Sequence, residues 1–178
     1  MKIAAISILL VVFSHLAVAA EDMEAHARGA VELGWQYFGK GDSETALKRF
    51  NQARILKPDF APSYFGTAYV LSTENKLVEA MEYYRKTIEL APSFPHAHSN
   101  LGLALLYSGK NEEAFASLTN ALQLAPDDGD VNVNVAVWYF ENQRYREAWR
   151  HIRVARAAGV SIKPSFIDEL SHHMAEPE

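Results

Sequence analysis

A 34-residue period runs through most of this chain. Alanine and proline mark it most plainly, at Ala46, Ala80, Ala114 and Ala148 and at Pro58, Pro92 and Pro126. A fixed period of this length is typical of one supersecondary unit that is copied and stacked, so that neighbouring copies bury a continuous core. We therefore expect a repeat protein.

Each copy reads as two helices joined by a tight turn. A large apolar residue follows each periodic alanine by one helical turn and predicts a packing face, at Phe50, Tyr84, Leu118 and Ile152. Glycine and asparagine tolerate the left-handed conformation that ends a helix. They predict the turn between the helices at Gly41, Asn75 and Gly109, with Gln143 in the same place of the fourth copy.

The motif Leu33-Gly34-x-x-Tyr37, followed by Ala46-x-x-x-Phe50 and Pro58, resembles the tetratricopeptide signature of a two-helix repeat. The resemblance implies an all-α fold, a right-handed superhelical solenoid of about four repeats with a C-terminal capping helix. The repeat domain is placed at residues 21–162, the capping helix and tail at 163–178, and the four repeats at 27–60, 61–94, 95–128 and 129–162. An apolar face predicts the capping helix, at Phe166, Ile167, Leu170 and Met174.

Residues 1–20 differ from the rest of the chain. Lys2 precedes an apolar stretch over residues 3–13, small residues follow at 17–20, and charge begins at Glu21. This order is typical of a secretory signal peptide cleaved after residue 19 or 20. The alternative is an uncleaved anchor in the inner membrane. We expect an exported protein in the periplasm, or one anchored there facing the periplasm.

Composition and spacing argue against catalysis and against nucleic acid as a partner. The formal net charge is −5, which does not suit a phosphate backbone. His96 and His98 follow Pro95, which opens a helix, so His98 is expected to be packed and hydrogen-bonded instead of binding a metal. Asp130 is expected to cap the next helix. The sequence predicts no enzyme, no cofactor and no metal site.

The first helices carry an apolar stripe in addition to the one that the core needs. In the first repeat the core side is assigned to Ala30, Leu33, Gly34 and Tyr37. In tetratricopeptide proteins the first helices line the concave groove, so the resemblance implies that the extra stripe faces a ligand. The predicted peptide-binding groove consists of Val31, Trp35, Phe38, Phe65, Tyr69, Asn100, Leu103, Leu106, Asn134, Val137 and Phe140.

Asn100 and Asn134 stand one period apart in this stripe. Asparagines in this place often hold the backbone of an extended peptide in the family, and an amide offers both a donor and an acceptor. The apolar neighbours favour an apolar or amphipathic partner segment. The alternatives to binding a partner polypeptide are burial of the stripe within the chain, self-association as a scaffold or homo-oligomer, and a role as an accessory subunit of an envelope enzyme complex.

One basic stripe lies on the second helix of the fourth repeat. Arg146, Arg150 and Arg153 follow i, i+4, i+7 spacing and share a helix face. Such a stripe is either a solvated surface or a docking patch for an acidic partner.

Overall fold

The computed structural model describes the backbone of residues 2–177 and the side chains of residues 21–177. Every regular element in this part is a helix: α1 (Lys2–Gly39), α2 (Ser43–Leu56), α3 (Ala61–Thr73), α4 (Leu77–Leu90), α5 (Pro95–Tyr107), α6 (Asn111–Leu124), α7 (Gly129–Glu141), α8 (Tyr145–Ala157) and α9 (Pro164–His173). The predicted all-α class of repeated helix pairs is confirmed. The predicted signal peptide, residues 1–20, lies outside the residues whose side chains are described.

The chain forms two compact units, residues 1–70 and residues 71–178. Each unit contains a buried apolar cluster of its own. Among the described residues, no helix combines the length and the apolar character that crossing a membrane requires.

The turns inside the helix pairs adopt the left-handed backbone conformation. The φ angle is +82° at Gly41, +61° at Asn75, +76° at Gly109 and +59° at Gln143. These are the four positions that the period predicts, so the turn prediction is confirmed. A glutamine adopts this conformation less readily than a glycine because its Cβ crowds the backbone. The position in the repeat, and not residue preference alone, therefore determines the turn.

The core of the first unit is centred on Phe50 of α2. None of the Phe50 side chain is exposed, and its ring packs against Gly34 of α1 and Gly66 of α3. A Cβ atom built on Gly34 would lie 2.5 Å from Phe50 Cε1, and one built on Gly66 would overlap the same edge of the ring. The absence of a side chain at these two glycines is therefore what makes room for the ring.

Replacing Gly34 by alanine should lower the free energy of unfolding by about 1–3 kcal/mol, because the added methyl group overlaps Phe50 and Gly66 restricts movement of the ring. Gly29→Ala is a matched control on the same helix, since a Cβ there meets no atom within 4 Å. It should raise stability by about 0.4–1 kcal/mol. Urea denaturation followed by circular dichroism measures both changes. Equal effects of the two substitutions would contradict this account.

In the second unit, α5 packs against α4, α6 and α7, and α8 packs against α7. The predicted interior positions of the second helices are buried, namely Ala80, Tyr84, Ala114, Leu118, Ala148 and Ile152. Gly102 of α5 allows the close approach of α6, because a Cβ there would lie 2.6 Å from Leu118 Cγ. The period therefore identifies the contact between the helices of each pair.

Helix α9 packs against α7 and α8. Leu170 is fully buried in a cluster with Ala136 of α7 and with Trp149 and Ile152 of α8. The indole nitrogen of Trp149 donates a hydrogen bond to the carbonyl oxygen of Met174, at 2.9 Å. The apolar side of α9 therefore covers the last helix pair.

Three different side chains make the same hydrogen bond in successive repeats. The donors and acceptors are Tyr64 Oη to Pro58 O at 2.7 Å, His98 Nε2 to Pro92 O at 2.8 Å and Asn132 Nδ2 to Pro126 O at 2.8 Å. Each donor follows its proline by six residues and satisfies a carbonyl of the turn that follows the second helix. The prediction of a hydrogen-bonded His98 is confirmed.

The cap of α7 is Asp128 and not Asp130 as predicted. The Asp128 carboxylate accepts a hydrogen bond from the backbone N–H of Val131, at 2.9 Å. Because α7 begins at Gly129, Asp128 occupies the N-cap position and Asp130 already belongs to the first helical turn.

Candidate functional site: two first-helix surfaces and a basic helix

In the first unit, the aromatic residues of the predicted stripe form one cluster around Trp35. Its ring centroid lies 5.2 Å from that of Phe50, 5.4 Å from that of Tyr69, and 6.1 Å from those of Phe38 and Phe65. Edge-to-face pairs at these distances stabilise the cluster beyond simple burial. The side chain of Tyr69 is 36% exposed, whereas Trp35, Phe38 and Phe65 are half-buried. The cluster is therefore anchored in the core and presents Tyr69 at the surface.

Val31 does not belong to this surface, so its assignment to the groove is wrong. Only 7% of Val31 is exposed, and it is packed in the core with Ala27, Ala30 and Gly34. These four residues follow i, i+3, i+4, i+7 spacing, which is the true core face of α1. Leu33, which was assigned to the core, is 39% exposed. Relative to the predicted core face of α1, the observed one is therefore displaced around the helix, away from Leu33 and toward Val31.

In the second unit, Asn100 of α5 and Asn134 of α7 are hydrogen-bonded to each other. Asn134 Nδ2 donates to Asn100 Oδ1 at 3.0 Å and to Ser99 Oγ at 2.8 Å. Both donor hydrogens of Asn134 are thereby used. Within the described residues, Asn100 Nδ2 and Asn134 Oδ1 make no hydrogen bond. We call these two residues the amide pair; it offers one amino group and one carbonyl oxygen, which match a peptide carbonyl and a peptide N–H.

The sequence did not identify the role of Ser99. Ser99 is almost fully buried, and its hydroxyl accepts one of the two hydrogen bonds that orient Asn134. A serine beside the asparagine one period earlier is the signal in the sequence, but it becomes meaningful only when α5 and α7 are known to be neighbours.

The apolar members of the predicted groove have different surroundings in the second unit. Leu103 and Leu106 of α5 and Val137 of α7 are half-buried. Phe140 instead packs beneath α9, with its ring centroid 5.3 Å from that of Phe166 and 5.7 Å from that of His173. Phe140 therefore contributes to the contact with α9.

The predicted basic stripe is exposed on α8. Arg146, Arg150 and Arg153 all lie at the surface, and Arg153 Nη1 donates to the carbonyl oxygen of Pro177 at 2.9 Å. Neighbouring Arg144 binds Glu147 at 2.6 Å, and this hydrogen bond lowers the pKa of the Glu147 carboxyl group. Arg146 and Arg150 have no hydrogen bond or ion pair among the described residues.

One group of side chains has the composition of a metal site. His96, Asp128 and Asp130 bring their ligand atoms within 4.8 Å of one another. His96 Nε2 lies 3.4 Å from Asp128 Oδ2, while the other oxygen of Asp128 caps α7. A contact with His96 and a helix cap therefore account for Asp128. Elsewhere in the described residues, His151 Nδ1 lies 2.8 Å from Asn132 Oδ1, and burial lowers the pKa of the imidazole. We interpret this contact as structural.

Family models and solved structures agree on the architecture. Two models described as tetratricopeptide repeat match residues 31–95 and 95–128. The chain is also similar to the crystal structure of MamA, at 16% identity and a TM-score of 0.61 over 75% of this chain and 78% of that one. For the structure MamA MSR-1 C2 the identity is 24% and the TM-score 0.56, over 75% of this chain and 76% of that one.

A chain of the APC/C hetero-tetramer Cut9-Hcn1 matches at 19% identity with a TM-score of 0.67. The match covers 80% of this chain but only 28% of that longer one. At such identities the solved structures support the fold alone.

The family models together cover residues 31–128, which is more than half of the 178 residues. The chain therefore belongs to the tetratricopeptide-repeat family, whose domains are protein–protein interaction modules.

Proposed function

We propose that this protein is an exported, non-catalytic assembly adaptor that binds a segment of another polypeptide. The amide pair carries the proposal. Its unused amino group on Asn100 and unused carbonyl oxygen on Asn134 are the complement of one peptide unit. Hydrogen bonds to Asn100 and Ser99 hold Asn134 in one orientation, so little conformational entropy is lost when a peptide binds.

The partner segment is apolar or amphipathic. Leu103, Leu106 and Val137 lie on the same two helices as the amide pair and are half-buried. A peptide held at its backbone by the amide pair would place apolar side chains against them, as in helix-in-groove and extended-peptide recognition. In the first unit, Tyr69 and the aromatic cluster beneath it offer an apolar anchor of the kind enriched at binding hot spots.

Export rests on the N-terminal sequence. The apolar stretch and the small residues before Glu21 support secretion to the periplasm followed by cleavage. If cleavage does not occur, the same segment anchors the protein in the inner membrane, with the repeats facing the periplasm.

Photo-crosslinking tests the binding site directly. A photoreactive phenylalanine analogue at Leu103 should capture a polypeptide in the envelope fraction of the source cell, while the same residue at Val78, an exposed position of α4, should not. Intact mass of the recovered protein should show that it begins at Ala20 or Glu21. Capture only of a second copy of this chain would support the self-associating scaffold instead.

Asn100→Asp is the most selective variant for the amide pair. It keeps an oxygen that accepts the hydrogen bond from Asn134 but removes the free amino group. Affinity for the captured partner should fall about ten-fold, the effect of one lost hydrogen bond in a desolvated interface, at about 1–3 kcal/mol. The melting temperature should stay close to that of the parent. Unchanged affinity would remove the amide pair from the binding site.

A further inference from the structure

The C-terminal tail leaves α9 and lies along α8. The helix ends at His173, and Met174 has the extended backbone angles φ −156° and ψ 121°. Trp149 Nε1 then donates to the carbonyl oxygen of Met174 at 2.9 Å, and Arg153 Nη1 donates to that of Pro177 at 2.9 Å. Arg156 Nη1 binds both carboxylate oxygens of Glu176, at 2.8 and 3.0 Å. The tail is therefore bound as an extended segment.

The three donors form one recognition surface on α8. Trp149, Arg153 and Arg156 follow i, i+4, i+7 spacing and share a helix face. The guanidinium group of Arg156 also lies 5.6 Å from the centroid of the Trp149 ring, within the range of a cation–π contact. Two of the three acceptors are backbone carbonyls and the third is a carboxylate. In the tail this surface contacts an extended backbone and an acidic side chain, and the Met174 side chain packs against the apolar cluster beneath them.

Charge around this face is strongly unbalanced. Residues 144–157 contain five arginines and one glutamate, in a chain whose formal net charge is −5. The glutamate is already bound to Arg144. Arg146 and Arg150 continue the same helix and make no ion pair within 4 Å among the described residues. Within the described tail only Glu176 pairs with an arginine through its side chain. Glu147 and Glu176 are thus the acidic partners that the described residues supply to these five arginines.

The charged contact of the tail is weak enough to be exchanged. The side chains of Arg156 and Glu176 are 42% and 38% exposed, and ion pairs at this exposure contribute little because water screens them. The tail nevertheless competes well with a free peptide, since its attachment to α9 gives it a high effective concentration.

We propose that this face of α8 is a docking site for an extended acidic peptide of a partner protein, and that the chain's own C-terminal tail occupies the site as an intramolecular competitor. A partner peptide with several carboxylates pairs with Arg150 and Arg146 as well as with Arg156. Those additional pairs favour the partner over the tail. The tail thereby lowers the apparent affinity of every competing peptide by the same factor, so a peptide needs additional carboxylates to bind tightly.

Fluorescence anisotropy with labelled hexaglutamate as the probe tests the proposal on the full chain. Glu176→Gln removes the charged contact of the tail and should tighten probe binding about five-fold, because the fraction of open sites rises. Glu169→Gln is the matched control: it makes the same charge change on an exposed residue of α9 and should leave the affinity within about two-fold. Labelled hexaglutamine should not bind to any of these proteins.

Arginine variants test which face binds the probe. Arg153→Ser with Arg156→Ser should weaken hexaglutamate binding at least about ten-fold, whereas Arg85→Ser, an exposed arginine of α4, should have little effect. Arg156→Lys keeps the charge but removes the planar guanidinium that lies over the Trp149 ring, so it should give a smaller loss than the double variant. It is the second test where the double variant does not fold. Raising the salt from about 0.1 M to about 1 M should abolish binding.

Two results would overturn the proposal. One is equal affinity of the Glu176→Gln and Glu169→Gln proteins, which would mean that the tail does not compete. The other is an Arg85→Ser loss as large as that of the Arg153 and Arg156 variant, which would mean general attraction to positive charge. The assay is independent of the amide pair, so Asn100→Asp should bind hexaglutamate normally.

Discussion

Replacing Phe50 by alanine should lower the free energy of unfolding by about 3–5 kcal/mol. The ring is completely buried at the centre of the first unit and fills the space that Gly34 and Gly66 leave open. Neither glycine has a side chain that could relax into the resulting cavity, so we expect the cost at the upper end of this range. Urea denaturation followed by far-ultraviolet circular dichroism measures the change.

Phe50→Leu is the matched control for that prediction. Leucine occupies the corresponding place in the third repeat, where Leu118 packs against Gly102, so the substitution keeps an apolar side chain that a repeat of this type accommodates. It should cost about 1–1.5 kcal/mol, as for other hydrophobic swaps that conserve most of the volume. A loss below about 1 kcal/mol for Phe50→Ala would show that Phe50 is not the centre of this core.

Trp149→Ala should be about as damaging in the second unit, at about 3–5 kcal/mol. Trp149 is 1% exposed, and it contacts Leu170 in the cluster that holds α9 against α8. The substitution removes this contact and also the hydrogen bond to Met174. Amide hydrogen exchange should therefore show a loss of protection in α9 first, because that helix depends on the indole for its attachment.

Trp149→Phe separates packing from the hydrogen bond. Phenylalanine keeps most of the apolar contact and loses only the donor to Met174, which should cost about 1–2 kcal/mol and leave α9 protected. If Trp149→Ala left the exchange of α9 unchanged, the contacts of Phe166 and Ile167 would have to be sufficient to hold the helix.

The period predicted the interior of each helix pair well because it reflects a local and repeated geometry. Alanine at Ala46, Ala80, Ala114 and Ala148 is fully buried in all four copies, since the two helices of a pair approach each other most closely there. Turn positions were equally predictable, down to the left-handed Gln143. Both features recur every 34 residues, so each copy supports the interpretation of the others.

The first helix was harder to interpret because it is apolar on more than one side. Val31 and Leu33 are both apolar, and a helix of 3.6 residues per turn cannot place both on one narrow core face. Periodicity alone does not indicate which of two apolar stripes meets the next helix. The contact with Phe50 decides which apolar stripe is the core face of α1. Gly34 must face α2, and Val31 lies on the same side of the helix as Gly34.

The sequence by itself determined the repeat, its helices, its turns and the residues between paired helices, since these depend on contacts that recur at short and regular separations. Only the tertiary structure revealed that tyrosine, histidine and asparagine donate the same hydrogen bond to successive proline carbonyls. It also showed that Gly66 makes room for Phe50, that Ser99 orients Asn134, and that the tail binds α8. The proline bonds recur every 34 residues, but three different residue types make them, so the residue types alone do not show that these positions share one role. The other three contacts span unequal separations and no period marks them, because they form only when helices distant in the chain have packed side by side.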